Sequence, residues 1–209
     1  MYKEIFVEDN DSVFDLVDFL TNFPEFYFGH CKITVTQLDL NYSSIYTRTN
    51  NEFIVENLNK KSPNKTVIIY YILDGFLHND LGPASIRARY KGSTRYYLCE
   101  EYFNHGKPHR DGGLPANIES RFDKNKNLLT FEAYYINGAI HRDEGPAEIN
   151  YENGVISRYT CFKNGLVHCE TGPAICENNN GTFTYSYALN GEYISYEEYL
   201  KKMQTKLYW

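Results

Sequence analysis

Four histidines in this 209-residue chain each stand two positions ahead of a carboxylate: His78 before Asp80, His109 before Asp111, His141 before Asp143 and His168 before Glu170. An imidazole beside a carboxylate is the equipment of general acid–base catalysis. Several imidazoles brought together can also hold a transition metal. The densest such group is His105, His109 and Asp111, with His141 one repeat further on, so a metal-dependent hydrolase built on these residues is one reading. A second cluster, Cys161, His168, Cys169 and Cys176, has the form C-x6-H-C-x6-C. Zinc sites usually begin from tighter pairs such as C-x2-C, so this spacing is a poor match. A Gly-rich phosphate loop, a Ser-His-Asp order and a nucleophile elbow are all missing. Nothing in the sequence calls for a resident cofactor.

Repetition decides how these histidines are read. His78, His141 and His168 are each followed, after three residues, by Gly-Pro-Ala, ending at Ala84, Ala147 and Ala174. The copy at His109 is one residue longer and ends Gly112-Gly113-Leu114-Pro115-Ala116. Four copies as enzymes would be four separate active sites, with no nucleophile supplied to any. Gly and Pro are the residues of a tight chain reversal, so the motif is expected to build a corner between strands. Turn dipeptides punctuate the same stretch: Asp74-Gly75, His105-Gly106, Asn137-Gly138, Asn153-Gly154, Asn164-Gly165, Asn180-Gly181 and Asn190-Gly191. Asn-Gly between apolar-alternating runs signals a β-hairpin, because both turn residues tolerate positive φ. Those at 74, 105, 137, 164 and 190 mark equivalent positions, spaced 31, 32, 27 and 26 residues apart. Extra residues around Lys124–Leu128 account for part of the longer spacing.

Aligned on these turns, the copies form two ladders. One is Tyr71, Tyr102, Tyr134, Cys161 and Tyr187; its neighbour is Ile72, Phe103, Tyr135, Phe162 and Ala188. Adjacent strand residues face opposite ways, so one ladder is expected to line the inside and the other the outside. An exposed row of Tyr gives rigid contact area for a partner. The fifth copy has Ile194 in place of the histidine and lacks Gly-Pro-Ala. Ser195-Tyr196-Glu197-Glu198 follows, a capping box that predicts a closing helix over Tyr196–Met203. The predicted fold is therefore mainly β: an antiparallel β-hairpin repeat sheet over residues 66–194 and a C-terminal capping helix and tail over 195–209.

Residues 1–65 lack the repeat and are expected to form a small α+β cap. Strands are predicted at Lys3–Val7, Cys31–Leu40 and Glu52–Glu56, a helix from Asp11 to about Leu20, and a boundary loop over Asn57–Lys65. The net charge of −6 resides entirely near the start: residues 1–39 carry eight acidic side chains against two basic ones, and the remainder balances. Acidic groups repel phosphates, and the aromatic rows lack a basic groove, so direct nucleic-acid binding is not expected. Asp11, Asp15 and Asp18 instead offer a surface for a basic partner, against the plainer reading of a solvated helix face. Five cysteines without CxxC spacing point to free thiols in a reducing, cytoplasmic setting. No leader segment and no apolar run of membrane-spanning length is read in the sequence.

The stretch Tyr134-Tyr-Ile-Asn-Gly-Ala-Ile-His-Arg-Asp-Glu-Gly-Pro-Ala-Glu-Ile-Asn-Tyr-Glu-Asn-Gly154 resembles the YxNGxxHRxDGPAxxxYxxG repeat, a variant of the MORN family found in bacteriophage, large-virus and bacterial antitoxin-like proteins. The resemblance covers roughly residues 70–200 and departs from the pattern at Asn79, Gly112-Gly113 and Cys169. It implies an elongated hairpin sheet that serves as a binding scaffold and not as a catalyst. It further implies a phage- or virus-encoded inhibitor of a host defence protein, or a structural virion or antitoxin component. The residues expected to meet a protein partner are Asp11, Asp15, Asp18, Tyr102, Tyr134, Gly112 and Gly113.

Overall fold

The computed structural model describes residues 3–9, 31–37, 42–48, 52–59, 64–73, 76–179 and 181–206. The chain divides into two compact units, Met1–Glu100 and Glu101–Trp209. Strands dominate both, because β-branched and aromatic residues fill the runs between turn dipeptides. Among the described residues there is one helix, and it is C-terminal.

The first unit contains strands β1 (Lys3–Asp9), β2 (Cys31–Gln37), β3 (Tyr42–Arg48), β4 (Glu52–Asn59), β5 (Asn64–Leu73), β6 (Phe76–Leu77) and β7 (Ser85–Lys91), with β8 (Thr94–Glu101) ending at the division. β1 pairs parallel with β2. From β2 onward the neighbours β2-β3-β4-β5-β7 are antiparallel. The three expected strands are present and β3 is an addition. Its Tyr-Ser-Ser-Ile-Tyr-Thr-Arg run is rich in strand formers but shows no clean apolar alternation. The boundary loop expected at Asn57–Lys65 needs correction. Asn57–Asn59 lie in β4 and Asn64–Lys65 in β5, paired as Asn57↔Thr66 and Leu58↔Lys65. The polar residues there mark a hairpin end, so position 65 falls inside a strand. The predicted helix from Asp11, with Asp15 and Asp18, lies outside the described residues.

The second unit alternates two kinds of hairpin. Long strands build its main sheet in the order β11 (Asn117–Phe122), β12 (Leu128–Ala133), β15 (Glu148–Glu152), β16 (Val155–Thr160), β19 (Ile175–Asn179), β20 (Thr182–Leu189) and β21 (Glu192–Ile194). Between them stand miniature hairpins of two-residue strands: β9/β10 (Phe103–Asn104/Lys107–Pro108), β13/β14 (Tyr135–Ile136/Ala139–Ile140) and β17/β18 (Phe162–Lys163/Leu166–Val167). Each miniature hairpin carries an expected turn at its tip, with positive φ at both turn residues: His105-Gly106, Asn137-Gly138 and Asn164-Gly165. These hairpins form their own two-stranded sheets and do not join the main one. The extra residues near Lys124 form the Asp123–Asn127 loop, which the Asp123 carboxylate closes by accepting the N–H groups of Asn125 and Asn127, both at 2.8 Å.

Register explains the core. One row of directly opposed residues crosses the main sheet as Ile118, Glu132, Ile149, Tyr159, Cys176 and Tyr185. Ile149, Tyr134 and Ala147 are buried together, with Ile140, Tyr151, Tyr159 and Phe162 packed against them. Glu132 is the polar member of the row. Its carboxylate accepts hydroxyl hydrogen bonds from Tyr134 and Tyr151, each at 3.2 Å. Burial, reinforced by the Glu132 charge, raises the pKa of both phenols above the ordinary tyrosine value. Burial pushes Tyr159 up to about 12.

The helix α1 (Tyr196–Lys206) closes the unit. The capping box forms as its residue types require: the Glu198 N–H donates to Ser195 Oγ and the Ser195 N–H to the Glu198 carboxylate, both at 3.2 Å. Tyr199 packs on Tyr187 with ring centroids 4.8 Å apart, and its hydroxyl donates to the Glu170 carbonyl at 2.8 Å.

Two substitutions test this construction. A Cβ at Gly154 meets nothing within 4 Å, but its φ is +79°. Gly154→Ala is therefore expected to cost about 1–2 kcal/mol from backbone conformation alone, read by denaturant unfolding. Ser195→Ala is expected to cost about 1 kcal/mol and to reduce far-ultraviolet helical signal before the sheet melts.

Candidate functional site

The corners are assembled by one bonding scheme. The Tyr134 N–H donates to the Ala147 carbonyl at 2.8 Å, and the His141 N–H donates to the Tyr134 carbonyl at 3.0 Å. The same two bonds, at 2.7–3.0 Å, join Tyr71, Ala84 and His78; Tyr102, Ala116 and His109; and Cys161, Ala174 and His168. The alanine is the small residue this close approach needs: Ala84, Ala116, Ala147 and Ala174 are all essentially inaccessible.

The histidine side chains then link successive corners of the second unit. His109 Nδ1 accepts the Asn137 N–H at 3.2 Å, His141 Nδ1 accepts that of Asn164 at 2.9 Å, and His168 Nδ1 accepts that of Asn190 at 3.0 Å. A nitrogen that accepts an N–H carries no proton, so the proton sits on Nε2. Each Nε2 duly faces the carboxylate two residues on, His109 to Asp111 at 3.1 Å, His141 to Asp143 at 3.0 Å and His168 to Glu170 at 3.2 Å. His78 makes the same contact with Asp80 at 3.1 Å. The motif that looked able to do acid–base chemistry thus uses both ring nitrogens for construction.

This arrangement corrects the metal reading. His109 and His141 have protein partners on both ring nitrogens, and His105 belongs to the hairpin tip, where its Nδ1 lies 2.6 Å from Asn104 Oδ1. His105, His109 and Asp111 therefore do not form a ligand set, and no group of three or more His, Cys, Asp or Glu side chains able to hold a metal occurs among the described residues.

The Tyr ladder is also placed differently from expectation. Tyr134 is only 7% exposed and belongs to the core. Tyr102 is half-buried and lies beneath the Arg110 guanidinium, 3.7 Å from its ring centroid. Arg142 covers Tyr134 in the same way at 3.8 Å. Each arginine also donates to the corner proline carbonyl, Arg110 to Pro115 and Arg142 to Pro146, both at 3.1 Å. A guanidinium stacked on a ring and bonded to the backbone locks both groups and covers one face of each tyrosine. In the first copy Asn79 replaces the arginine and donates to the Pro83 carbonyl at 3.0 Å.

The glycine pair keeps its interest. Gly112 and Gly113 both have positive φ, and a Cβ on either meets nothing within 4 Å. The inserted residue is thereby extruded to solvent while the Arg110–Pro115 bond survives. Next to it, between the second and third corners, lies a cleft of about 480 Å³. Its walls are His109–Leu114 on one side and Tyr134–Ile136 and His141–Glu144 on the other. Leu114 and Ile136 are exposed within it, and the side chains of Asp111 and Asp143 stand on its rim, 96% and 82% exposed. The next corner pair encloses a cleft of about 500 Å³ that includes Cys161 and Cys169.

Comparison with known proteins returns no match to any family model, curated sequence or solved structure. Two features escaped the sequence reading. The Nδ1 link could have been sought in the recurrence of an Asn-Gly one repeat after each of these histidines, 28, 23 and 22 residues further on. The joint replacement of Tyr and Arg by Cys161 and Cys169 in one copy was visible in the aligned repeats.

His141→Ala removes a buried imidazole and both of its bonds, and is expected to destabilise the chain by about 2–4 kcal/mol in denaturant unfolding. His105→Asn supplies a residue that tolerates the same positive φ, and is expected to change stability by less than about 0.5 kcal/mol.

Proposed function

We propose that this chain is a non-enzymatic protein-binding repeat module, and that the cleft between its second and third corners receives a partner segment carrying an apolar side chain next to a basic one. The observation that carries this reading is the division of labour in the cleft. The imidazoles and guanidiniums are committed to holding corners together, whereas Leu114 and Ile136 are left exposed between acidic side chains. An apolar floor with a charged rim suits recognition, where the apolar contact supplies affinity and the charges select the partner and speed encounter. The acidic excess at Asp11, Asp15 and Asp18 has the same sign and would steer the same basic partner.

The likeness of the repeat to phage and large-virus proteins extends the proposal: the partner is a host protein, inhibited by occupation of a basic site that otherwise holds nucleic acid. No helix among the described residues is long and apolar enough to cross a membrane. The proposed setting is a reducing one, in keeping with Cys99, Cys161, Cys169 and Cys176 forming no disulfide.

Affinity capture from host extract, quantified for the wild type and two variants, tests this function. Leu114→Glu with Ile136→Glu is expected to weaken capture of the partner by about tenfold or more with unchanged folding stability. Asp11→Asn, Asp15→Asn and Asp18→Asn together are expected to slow association and flatten its salt dependence. A partner retained equally by all three proteins removes the cleft and the acidic surface from consideration.

A further inference from the structure

At the fourth corner the repeat changes chemistry without changing its backbone. Cys161 occupies the position of Tyr134, and Cys169 that of Arg142. The Cys161 N–H still donates to Ala174 at 2.8 Å and its carbonyl still accepts the His168 N–H at 3.0 Å, so the corner is intact. Where the third corner stacks a guanidinium 3.8 Å from a ring centroid, the fourth sets two cysteines on one cleft, with the Cys161 carbonyl bonded to the N–H of His168, the residue just before Cys169. Their surroundings differ. Cys161 is buried, whereas Cys169 is half-exposed and lines the cleft of about 500 Å³, with its Sγ 3.6 Å from Thr171 Oγ1.

We propose that Cys161 and Cys169 form a peroxide-reactive pair in which Cys169 is the attacking sulfur and Cys161 the resolving one. The thiolate of Cys169 attacks the outer oxygen of a hydroperoxide reaching it from the cleft. The O–O bond breaks, Cys169 becomes a sulfenic acid, and the departing alkoxide or hydroxide takes a proton from water. Cys161 then loses its thiol proton to solvent and its sulfur attacks that of Cys169. The S–O bond breaks, hydroxide leaves and is protonated to water, and a disulfide results. Two thiols are oxidised by two electrons, and the peroxide is reduced to an alcohol, or water, plus a second water.

The electrostatics agree with this order. The neighbouring Cys161 thiol holds Cys169 well below an ordinary thiol, at about 5, with Thr171 and the Gly172 backbone also lowering it against its burial. Proximity to Cys169, together with burial, raises Cys161. A thiolate poised next to a protonated thiol is the arrangement that sulfenic acid formation and resolution require.

The test uses the full chain, reduced and desalted. At pH about 7, Cys169 is expected to react with iodoacetamide about tenfold faster than Cys99 or Cys176, with little change in rate between about pH 6 and about pH 8. Equimolar hydrogen peroxide, digestion and mass spectrometry are expected to give a Cys161–Cys169 linked peptide that a dithiol reductant separates. In Cys161→Ser, Cys169 is expected to stop at the sulfenic acid and be trapped by dimedone. Cys161→Tyr with Cys169→Arg restores the residues of the third corner, and is expected to fold and to form no disulfide here. A disulfide to any other cysteine, preferential oxidation of Cys99 or Cys176, or persistence of both thiols after peroxide overturns the proposal. Each of these outcomes is read on the wild-type chain, independently of how the variants fold.

Discussion

One acceptor per repeat of the second unit, the Nδ1 of a corner histidine, ties His109, His141 and His168 each to the following turn at 2.9–3.2 Å. Most of the motif follows from keeping that nitrogen available. The carboxylate two residues on holds the proton at Nε2, and so leaves Nδ1 bare. The Gly-Pro reversal returns the chain so that the alanine carbonyl meets the residue opposite the histidine. The next turn's asparagine adopts positive φ and thereby aims its N–H at the ring. Variation accumulates where this constraint is absent. The five-residue Asp123–Asn127 loop sits at the far end of a long hairpin, and the glycine pair of the second corner pushes its extra residue into solvent.

Much of this fold is legible in the residues themselves. The Asn-Gly pairs locate the hairpin tips because few residues other than Gly, Asn and Asp enter the left-handed region readily, and the Ser195–Glu198 box locates the closing helix because its two bonds are local. What escapes is whatever depends on contacts between distant positions. The miniature hairpins read as part of one meander, because pattern alone does not say which paired strands join a common sheet. Tyr102 and Tyr134 read as an open surface, because the arginines that cover them lie eight positions further along the chain. β3 was missed because Ser43 and Ser44 blur its alternation, although its propensity is high.

The fourth corner shows how far such a frame separates shape from chemistry. A stacked cation and ring can be exchanged for two thiols, because the backbone bonds that define the corner involve neither side chain. The fourth corner exchanges both members together, whereas the first keeps Tyr71 and sets Asn79 in the arginine's place. A repeat of this kind therefore supplies a series of equivalent positions at which paired substitutions introduce new reactivity at little structural expense.

The corner-to-corner bonds of the second unit connect each repeat with its immediate successor: Gly138 bonds to Pro108, Gly165 to Ile140 and Gly191 to Val167. A chain wired this way behaves as a one-dimensional lattice. Its stability is a sum of unit terms and coupling terms, and order propagates stepwise from whichever pair of repeats forms first. Fraying then begins at an unsealed terminus and travels inward one repeat at a time, and α1 is the seal at the C-terminal end. Proteolytic nicking or hydrogen exchange in this unit would accordingly be graded along the sequence and not all-or-none.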